Sequence, residues 1–305
     1  MEIIIADKAG FCFGVKRALE LAQGNLCHDF YSLGPLIHNP QVVEYLKNKG
    51  LQPVESIEDI PNNSKVIIRS HGVGTGDYKK AKDKSLEVID GTCPFVKKAQ
   101  LIAKKLADDG YCVVIVGDKY HPEVKATKEW AGEAYVVSDA EQTKTLPTMN
   151  RIGVLAQTTL PQKTFLDVVE VLKRKTSNLK VHNSICFATH SRQDAVIKLS
   201  PVVDVMVVIG GRNSSNTCKL AALCRELGTT TYHIEHYSEL TPNMFKGVKK
   251  AGVTAGASTP DWIIEEVVFK MTEFTEEKKQ DEIREEAVPE DIIQDENANI
   301  PPENE

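Results

Sequence analysis

The sequence predicts an α/β protein made of three similar units, each with a small and mainly parallel sheet. Short apolar strands alternate with helical patterns along most of the chain, which is typical of parallel sheets. Three cysteines in related settings, Cys12, Cys93 and Cys186, stand near the starts of successive thirds of the 305 residues. The predicted units are residues 1–92, 93–185 and 186–271.

The first unit opens with a predicted strand over residues 1–12 that ends at Cys12. A helix follows over residues 14–23, because its apolar side chains recur at helical spacing on one face. The rest of the unit alternates between strand and helix. Its further predicted elements are a short strand and a loop at 31–40, a helix at 42–49, a strand at 66–70 and a helix at 76–84.

The middle unit repeats this plan around Cys93, which stands between a strand-like run at 86–89 and a helix over 95–108. Pro94 suits the first turn of that helix. The helix dipole at this position favours the thiolate form of the cysteine. The later strands of the unit are predicted at 112–118, 134–137 and 152–157, and a helix begins at Pro161.

The last unit has predicted helices at 192–198 and 217–227 and a final helix that ends at Lys270. Its strands are predicted at 205–211 and 253–257. Residues 272–305 are strongly acidic and lack a sustained apolar face, so we expect a disordered tail or a linker there.

Composition narrows the functional class. No apolar run is long enough for a membrane span, and no basic, cleavable leader opens the chain, so we expect a cytoplasmic protein that does not bind membranes. Seven cysteines then indicate reduced thiols for metal binding or catalysis rather than disulfides. Outside the acidic tail the chain is only mildly basic, which suits a small anionic substrate and argues against nucleic acid.

Three of the seven cysteines stand apart from the rest. Cys12, Cys93 and Cys186 lie at element junctions beside Gly, Pro or polar residues. The other four look structural: Cys27, Cys112, Cys218 and Cys224. No Cys-x-x-Cys pair is present, which argues against a zinc ribbon or a ferredoxin-type cluster. Three separated thiolates suit an iron–sulfur cluster in which one iron lacks a protein ligand and can polarise a substrate oxygen.

Histidines follow three of the predicted strands. A single loop histidine is usually solvated, but His38, His71 and His121 at equivalent strand ends indicate a shared anion site. Glu123 comes two residues after His121 and could deliver protons if burial raises its pKa. Because ligands of parallel sheets bind beyond the carboxyl ends of the strands, we expect these side chains to share one site.

Hydroxyl and amide side chains stand where later strands meet helices. These residues are Thr158, Thr159, Ser214, Ser215, Asn216 and Ser258. All are suited to capping a helix, and a capped helix N-terminus can also bind phosphate, so the two interpretations are compatible. The glycine pairs at 72–74 and 210–211 complete neither a dinucleotide fingerprint nor a P-loop.

Eight short motifs, in this order, closely resemble the hydroxymethylbutenyl diphosphate reductase family of the non-mevalonate isoprenoid pathway. They are Gly10-Phe11-Cys12-Phe13-Gly14-Val15, Ile37-His38-Asn39-Pro40, Ser70-His71-Gly72-Val73, Asp90-Gly91-Thr92-Cys93-Pro94, His121-Pro122-Glu123-Val124, Gln157-Thr158-Thr159-Leu160, Arg212-Asn213-Ser214-Ser215-Asn216 and Ala255-Gly256-Ala257-Ser258. The resemblance covers roughly residues 1–270.

The resemblance implies three α/β domains arranged as a trefoil around a central cavity. It implies a [4Fe–4S] cluster on Cys12, Cys93 and Cys186, and proton transfer by Glu123 with Thr158 and His121. The implied diphosphate ligands are His38, His71, His121, Ser214, Ser215, Asn216 and Ser258, and Thr158 is a further implied substrate-binding residue. The reaction would be a reductive dehydroxylation of an allylic diphosphate, with electrons from reduced ferredoxin or flavodoxin.

Four residues depart from the motifs usual in that family, and these are Ala126, Ala156, His190 and Ser191. Two other functions stay open at this point. An iron–sulfur hydro-lyase acting on a phosphorylated allylic alcohol would turn over without a reductant. A non-catalytic phosphate-binding protein with structural cysteines would contain no iron.

Overall fold

The structure is a computed structural model that describes residues 1–26 and 29–286, with side chains described as far as residue 276. Its strands are β1 (Glu2–Ile5), β2 (Phe30–Leu33), β3 (Leu51–Val54), β4 (Lys65–Ile68), β5 (Glu87–Asp90), β6 (Cys112–Val116), β7 (Ala134–Val137), β8 (Ile152–Ala156), β9 (Leu179–His182), β10 (Val205–Ile209), β11 (Thr230–Ile234) and β12 (Lys250–Ala255).

Its helices are α1 (Phe13–Gln23), α2 (Pro40–Asn48), α3 (Thr75–Asp83), α4 (Pro94–Asp108), α5 (Pro122–Ala131), α6 (Ala140–Lys144), α7 (Gln162–Leu172), α8 (Phe187–Leu199), α9 (Ser215–Glu226) and α10 (Asp261–Glu286). Short 3₁₀ turns occur at Ile57–Asp59, Ser200–Val202, Tyr237–Glu239 and Pro242–Phe245. No helix in the described part of the chain has the length and apolar character to cross a membrane.

The strands form three sheets of four, and every strand pairing is parallel. The strand orders are β3-β2-β4-β5, β7-β6-β8-β9 and β1-β12-β10-β11. This confirms the predicted class of three α/β units with small parallel sheets.

The central strands are buried on both faces, as parallel sheets require. In β10 all five residues are buried, and their side chains divide between two core clusters on opposite faces of the sheet. The helices supply the other half of each core through apolar stripes, such as Ala99, Ala103 and Leu106 of α4. The burial of these stripes holds each sheet between layers of helices.

The N-terminal strand corrects one part of the predicted organisation. We assigned it to the first unit, but β1 pairs with β12 in the third sheet, with Ile3 opposite Ala251. Ile3 and Ile4 contact the two cores on either face of that sheet. Burial of these side chains therefore favours the pairing of β1 with β12 at the edge of the third sheet. The chain then crosses at Cys12 into the first unit. The boundaries at residues 92 and 185 stay predictions.

The C-terminal helix also differs from the prediction. Helix α10 continues through Glu286, so the expectation of disorder is wrong for residues 272–286. The reason is a further apolar turn, in which Met271 is buried and Phe274 packs against Phe245 of the third core. Residues 287–305, the rest of the predicted tail, lie outside the described residues.

Candidate functional site

One cavity lies where the three units meet, with an empty volume of about 700 Å³ that includes space open to solvent. It is lined by every residue that the sequence predicted for the site: Cys12, Cys93, Cys186, His38, His71, His121, Glu123, Thr158, Ser214, Ser215, Asn216 and Ser258. These residues follow the carboxyl ends of strands from all three sheets, which explains why residues so distant in sequence come together.

Each of the three cysteines is the N-cap of a helix: Cys12 of α1, Cys93 of α4 and Cys186 of α8. Their backbone amides fix them to other loops of the site. Cys12 N–H donates to Ala257 O at 3.1 Å, and Cys186 N–H donates to Thr158 O at 3.0 Å. The fold therefore holds the three sulfur atoms in place from the backbone outward.

The first turn of α1 approaches Cys93 closely. A Cβ added at Gly14 would lie 2.5 Å from Cys93 Sγ, well inside van der Waals contact. Glycine at this position thus creates the space in which the thiols of two different units can face one another.

The thiols themselves are free, with no disulfide among Cys12, Cys93 and Cys186. We expected the helix dipole to favour thiolate, but burial raises the pKa of Cys93 to about 11, and the nearby Phe95 and Val96 backbone amides oppose this shift only in part. Burial likewise raises the pKa of Cys186. Without a bound metal these two thiols are therefore protonated at neutral pH, and metal binding must displace their protons.

The residues around the thiols fit a metal centre of net negative charge. The Arg192 guanidinium is buried and interacts electrostatically with both Cys12 and Cys186. Its side chain is fixed by donation to the carbonyls of Gly10 and, at 2.9 Å, of Ala188. A buried cation facing two cysteines would offset the charge of thiolate ligands. The donor set is three cysteine sulfurs, which is the chemistry of iron–sulfur ligation.

His38, His71 and His121 form a compact trio beside the thiols. The ring centroids are separated by 4.4 Å for His38 and His71, 5.4 Å for His71 and His121, and 5.9 Å for His38 and His121. Burial lowers the pKa of His38 and of His121 to about 4, and it lowers the pKa of His71 well below its usual value. The rings of the trio are therefore neutral at physiological pH.

The trio is better suited to an anion than to a metal ion, although three imidazole nitrogens lie within 4.8 Å of one another. Positive charge on Arg69 contributes to the lowered pKa of all three rings, and Lys219 contributes at His121. Both nitrogens of His38 are buried without a hydrogen-bond partner in the described structure. Neutral N–H donors in a positive field favour an anionic ligand.

Glu123 is the buried carboxyl group of the cavity, with 3% of its surface exposed. Its Oε1 accepts the Thr158 backbone N–H at 2.6 Å, and its Oε2 accepts the Thr158 hydroxyl at 2.8 Å. Burial raises the pKa of Glu123, and these hydrogen bonds only partly oppose the shift. A carboxyl group with a raised pKa can hold a proton and release it during a reaction.

His121 precedes Glu123 as the N-cap of α5, and its Nδ1 accepts the Glu123 backbone N–H at 3.2 Å. Because Nδ1 is an acceptor, the neutral ring carries its proton on Nε2. The cap thus sets the tautomer of the histidine and leaves Nε2–H as a donor.

The opposite wall of the cavity comes from the start of α9 and from the loop after β12. Ser214 caps α9 by accepting the Thr217 N–H at 3.4 Å, as the capping interpretation predicted. Asn216 Nδ2 is buried without a partner in the described structure. Ser258 donates its hydroxyl hydrogen to His38 O at 2.9 Å. In this structure the Ser258 hydroxyl hydrogen is therefore already used in a hydrogen bond within the protein.

The profile of the LytB protein family matches residues 3–272. The chain belongs to the LytB family. Two relatives, from Geobacter sulfurreducens and Caldanaerobacter subterraneus, are both named 4-hydroxy-3-methylbut-2-enyl diphosphate reductase and are both 48% identical to this chain. The first match covers 92% of this chain and all of the relative, and the second covers 89% and 96%.

Two solved structures share the fold. A structure described as (E)-4-hydroxy-3-methyl-but-2-enyl diphosphate reductase, the terminal enzyme of the non-mevalonate pathway, is 46% identical with a TM-score of 0.66. That match covers 90% of this chain and all of the other. The E-1-hydroxy-2-methyl-but-2-enyl-4-diphosphate reductase of Plasmodium falciparum is 29% identical with a TM-score of 0.84, over 88% and 86% of the two chains.

Sequence reasoning missed three cations around the cavity of this LytB protein. Arg69, Arg192 and Lys219 act electrostatically on the histidine trio or on the cysteines. In a sequence, such residues look like ordinary surface charge. The only hint was their position next to a motif, since Arg69 precedes Ser70-His71 and Lys219 follows Asn216 by one helical turn.

The four departures from the usual family motifs lie outside the lining of the cavity. Ala126 and Ala156 are buried in α5 and β8. His190 is half-exposed, and its Nδ1 lies 2.8 Å from a carboxylate oxygen of Asp194 one turn along α8. Ser191 follows His190 on the same helix.

Proposed function

We propose that this LytB protein is a 4-hydroxy-3-methylbut-2-enyl diphosphate reductase. The substrate takes up two electrons and two protons, its C–O bond to the hydroxyl group breaks, and water leaves. The products are isopentenyl diphosphate and dimethylallyl diphosphate. Full-length matches to relatives with this name support the assignment.

One observation carries the proposal. A buried proton-holding pair, Glu123 and Thr158, lines the same cavity as three free thiols and three neutral histidines. A reductive loss of hydroxide needs these three functions in one place. The metal–sulfur site handles electrons, the acid supplies protons, and the donor wall holds the diphosphate.

Cys12, Cys93 and Cys186 are the proposed ligands of a [4Fe–4S] cluster, and Arg192 supports them as the buried countercharge. When bound, such a cluster would supply electrons and a Lewis-acidic iron. The protein's part is to hold the three sulfurs at helix N-termini.

The diphosphate is proposed to bind between the histidine trio and the start of α9. Neutral N–H groups of the trio, the free amide of Asn216 and the Ser215 hydroxyl would donate to its oxygens. The positive field of Arg69 favours the anion over a neutral analogue. Several donors that face one polyanion position the allylic end of the substrate by holding the opposite end.

Glu123 is the proposed proton donor, and the direction of transfer follows from its hydrogen bonds. Because Oε1 accepts the Thr158 N–H, the acid proton of Glu123 resides on Oε2. When Glu123 is ionised, Oε2 accepts the Thr158 hydroxyl hydrogen at 2.8 Å. When Glu123 is protonated this hydrogen bond reverses, so that the hydroxyl accepts the Oε2 proton and passes its own to the substrate. His121, with its proton on Nε2, would assist from the same helix terminus.

Electrons are proposed to come from a reduced ferredoxin or flavodoxin, and the cytoplasm is the proposed compartment. The six cysteines that the structure describes are free, which supports a reducing environment.

The decisive experiment is an anaerobic preparation in which iron and sulfide are counted, followed by turnover of the allylic diphosphate with and without dithionite. We expect bound iron and reductant-dependent formation of both products. Turnover without any reductant would instead indicate a hydro-lyase. Protein that lacks iron and does not turn over would indicate a non-catalytic phosphate-binding function.

A further inference from the structure

Behind the wall of the cavity, Lys219 of α9 is half-buried and does not itself line the site. Among the described residues, its hydrogen-bond acceptor is Thr159 Oγ1, at 3.4 Å from Nζ. Burial lowers the pKa of this lysine to about 8, so it keeps its positive charge at neutral pH. The Lys219 ammonium group is thus a half-buried charge that donates to the Thr159 hydroxyl, and it can influence the hydrogen bonds of that hydroxyl.

The hydroxyl that Lys219 contacts belongs to a small network whose directions can be assigned. Gln157 Oε1 accepts the backbone N–H of Asp118 at 3.1 Å, which identifies the other end of this buried amide as the NH₂ group. Gln157 Nε2 then donates to Thr159 Oγ1 at 3.0 Å and to Ser215 Oγ at 3.3 Å.

Thr159 is thereby forced to donate. A hydroxyl group has one hydrogen and two lone pairs, and both lone pairs of Thr159 Oγ1 are occupied by donors from Lys219 and Gln157. Its hydrogen must therefore point along its remaining contact, to Ser215 Oγ at 3.1 Å.

Ser215 is in turn left with a free hydrogen. Its oxygen accepts from Thr159 and from Gln157, which fills both of its lone pairs. The Ser215 hydroxyl lines the cavity, so its hydrogen is available only to a ligand that accepts hydrogen bonds. An ionised phosphate oxygen is such a ligand, whereas a hydroxyl group that needs to donate finds no acceptor there.

We propose that Lys219 is a positioning residue that fixes the direction of the Thr159–Ser215 hydroxyl chain, so that Ser215 donates to the substrate diphosphate. This inference rests on the proposed function. Without the ammonium group, one lone pair of Thr159 is released. Ser215 can then donate to Thr159 instead of to the ligand, and the wall loses its preference for an anion.

The test is the affinity of the iron-loaded enzyme for inorganic diphosphate, measured anaerobically by calorimetry, beside KM and kcat for the allylic substrate. For Lys219→Met we expect the Kd of diphosphate to rise about tenfold or more, as for a lost charge-assisted hydrogen bond. KM should rise in parallel, and kcat reports separately on the loss of the Lys219 charge that acts on Glu123. Lys219→Arg keeps the charge and should restore most of the affinity.

Two further variants separate positioning from a general structural effect. Arg225→Met removes an exposed cation from the same helix and should leave the Kd of diphosphate unchanged. Thr159→Val breaks the relay, so adding Lys219→Met to it should weaken binding little further. Additive effects of the two changes would overturn the proposed route through Thr159.

The outcomes also distinguish this inference from the function on which it rests. If the wild-type enzyme turns over and binds diphosphate, but Lys219→Met does so equally well, the inference is wrong and the proposed function stands. The inference is also wrong, and the proposed function stands, if Lys219→Met lowers kcat at unchanged KM. A wild-type protein that neither binds diphosphate nor reduces the substrate would overturn both.

Discussion

Both carboxyl oxygens of Glu123 form hydrogen bonds with one residue, Thr158. Oε1 lies 2.6 Å from the Thr158 backbone nitrogen, and Oε2 lies 2.8 Å from the Thr158 hydroxyl oxygen. Glu123 lies in the first turn of α5 and Thr158 lies in the loop after β8, so the pair links that helix to that loop at the edge of the second sheet. This contact fixes the position of the Glu123 carboxyl group. It also leaves the Thr158 hydroxyl as the group to which the carboxyl proton can pass.

The first prediction concerns proton transfer from Glu123. Glu123→Gln keeps the size of the side chain and can still accept the Thr158 N–H, but it has no proton to transfer. We expect kcat to fall on the order of 10²- to 10⁴-fold, as for the loss of a general acid, while substrate still binds. Single-turnover kinetics of the iron-loaded enzyme would check this. Glu133→Gln, an exposed change, is the matched control. A near-normal rate in Glu123→Gln would remove Glu123 from the proton path.

The second prediction separates the proposed metal ligands from the other cysteines. Cys93→Ser should lose most of the bound iron, because a serine oxygen is a poor substitute for a thiolate ligand of iron. Cys112→Ser should keep the iron, since Cys112 begins β6 and does not line the cavity. Iron and sulfide analysis after anaerobic purification compares the two. Equal iron contents would contradict the proposed ligand set.

Much of this architecture is visible in the sequence because the central strands are continuous apolar runs. Strands such as β6 and β10 are buried on both faces and leave a clear signal. The edge strands β3, β9 and β11 went unpredicted for the opposite reason. They carry exposed and polar residues, as Pro53 in β3 and Lys180 in β9 illustrate, and their form depends on a neighbour distant in sequence.

The candidate site was predictable where chemistry and position coincide, as for Cys93 or His121 at the end of a strand. The partner of β1 was not, because nothing local to Ile3 specifies pairing with Ala251. The protonation of Cys93 was misjudged for a related reason. The helix terminus is a local feature that the sequence shows, but the opposing burial arises only from packing between units.

The third prediction concerns pH. His38 and His121 have a pKa of about 4 in the folded protein, below the ordinary value of 6.5. Between these values the unfolded chain binds more protons than the folded one, so the free energy of unfolding should fall as pH drops from 6.5 to 4. Arg69 and Lys219 reinforce the shift with positive charge, and Asp118 opposes it at His121.

Chemical denaturation across this range, in wild type and in His38→Asn, isolates the contribution of one ring. The variant should lose stability less steeply on acidification than the wild type. The comparison is needed because Glu123, with its raised pKa, contributes in the opposite direction. Parallel curves for wild type and His38→Asn would contradict the assignment.

The fourth prediction tests the close approach of α1 to Cys93. In Gly14→Ala the new Cβ would lie 2.5 Å from Cys93 Sγ, so either the sulfur or the first turn of the helix must move. Displacing the sulfur of this proposed ligand should weaken metal binding by on the order of tenfold or more, as for other changes that disturb ligand orientation. Competition with an iron chelator, followed by visible absorbance, measures this directly. Gly24 caps the other end of the same helix with a φ of −71°, and a Cβ added there would lie 3.3 Å from Glu20 O and away from Cys93, so Gly24→Ala should retain its iron. Loss of iron at the same rate from both variants would mean that the spacing at Gly14 does not govern the metal site.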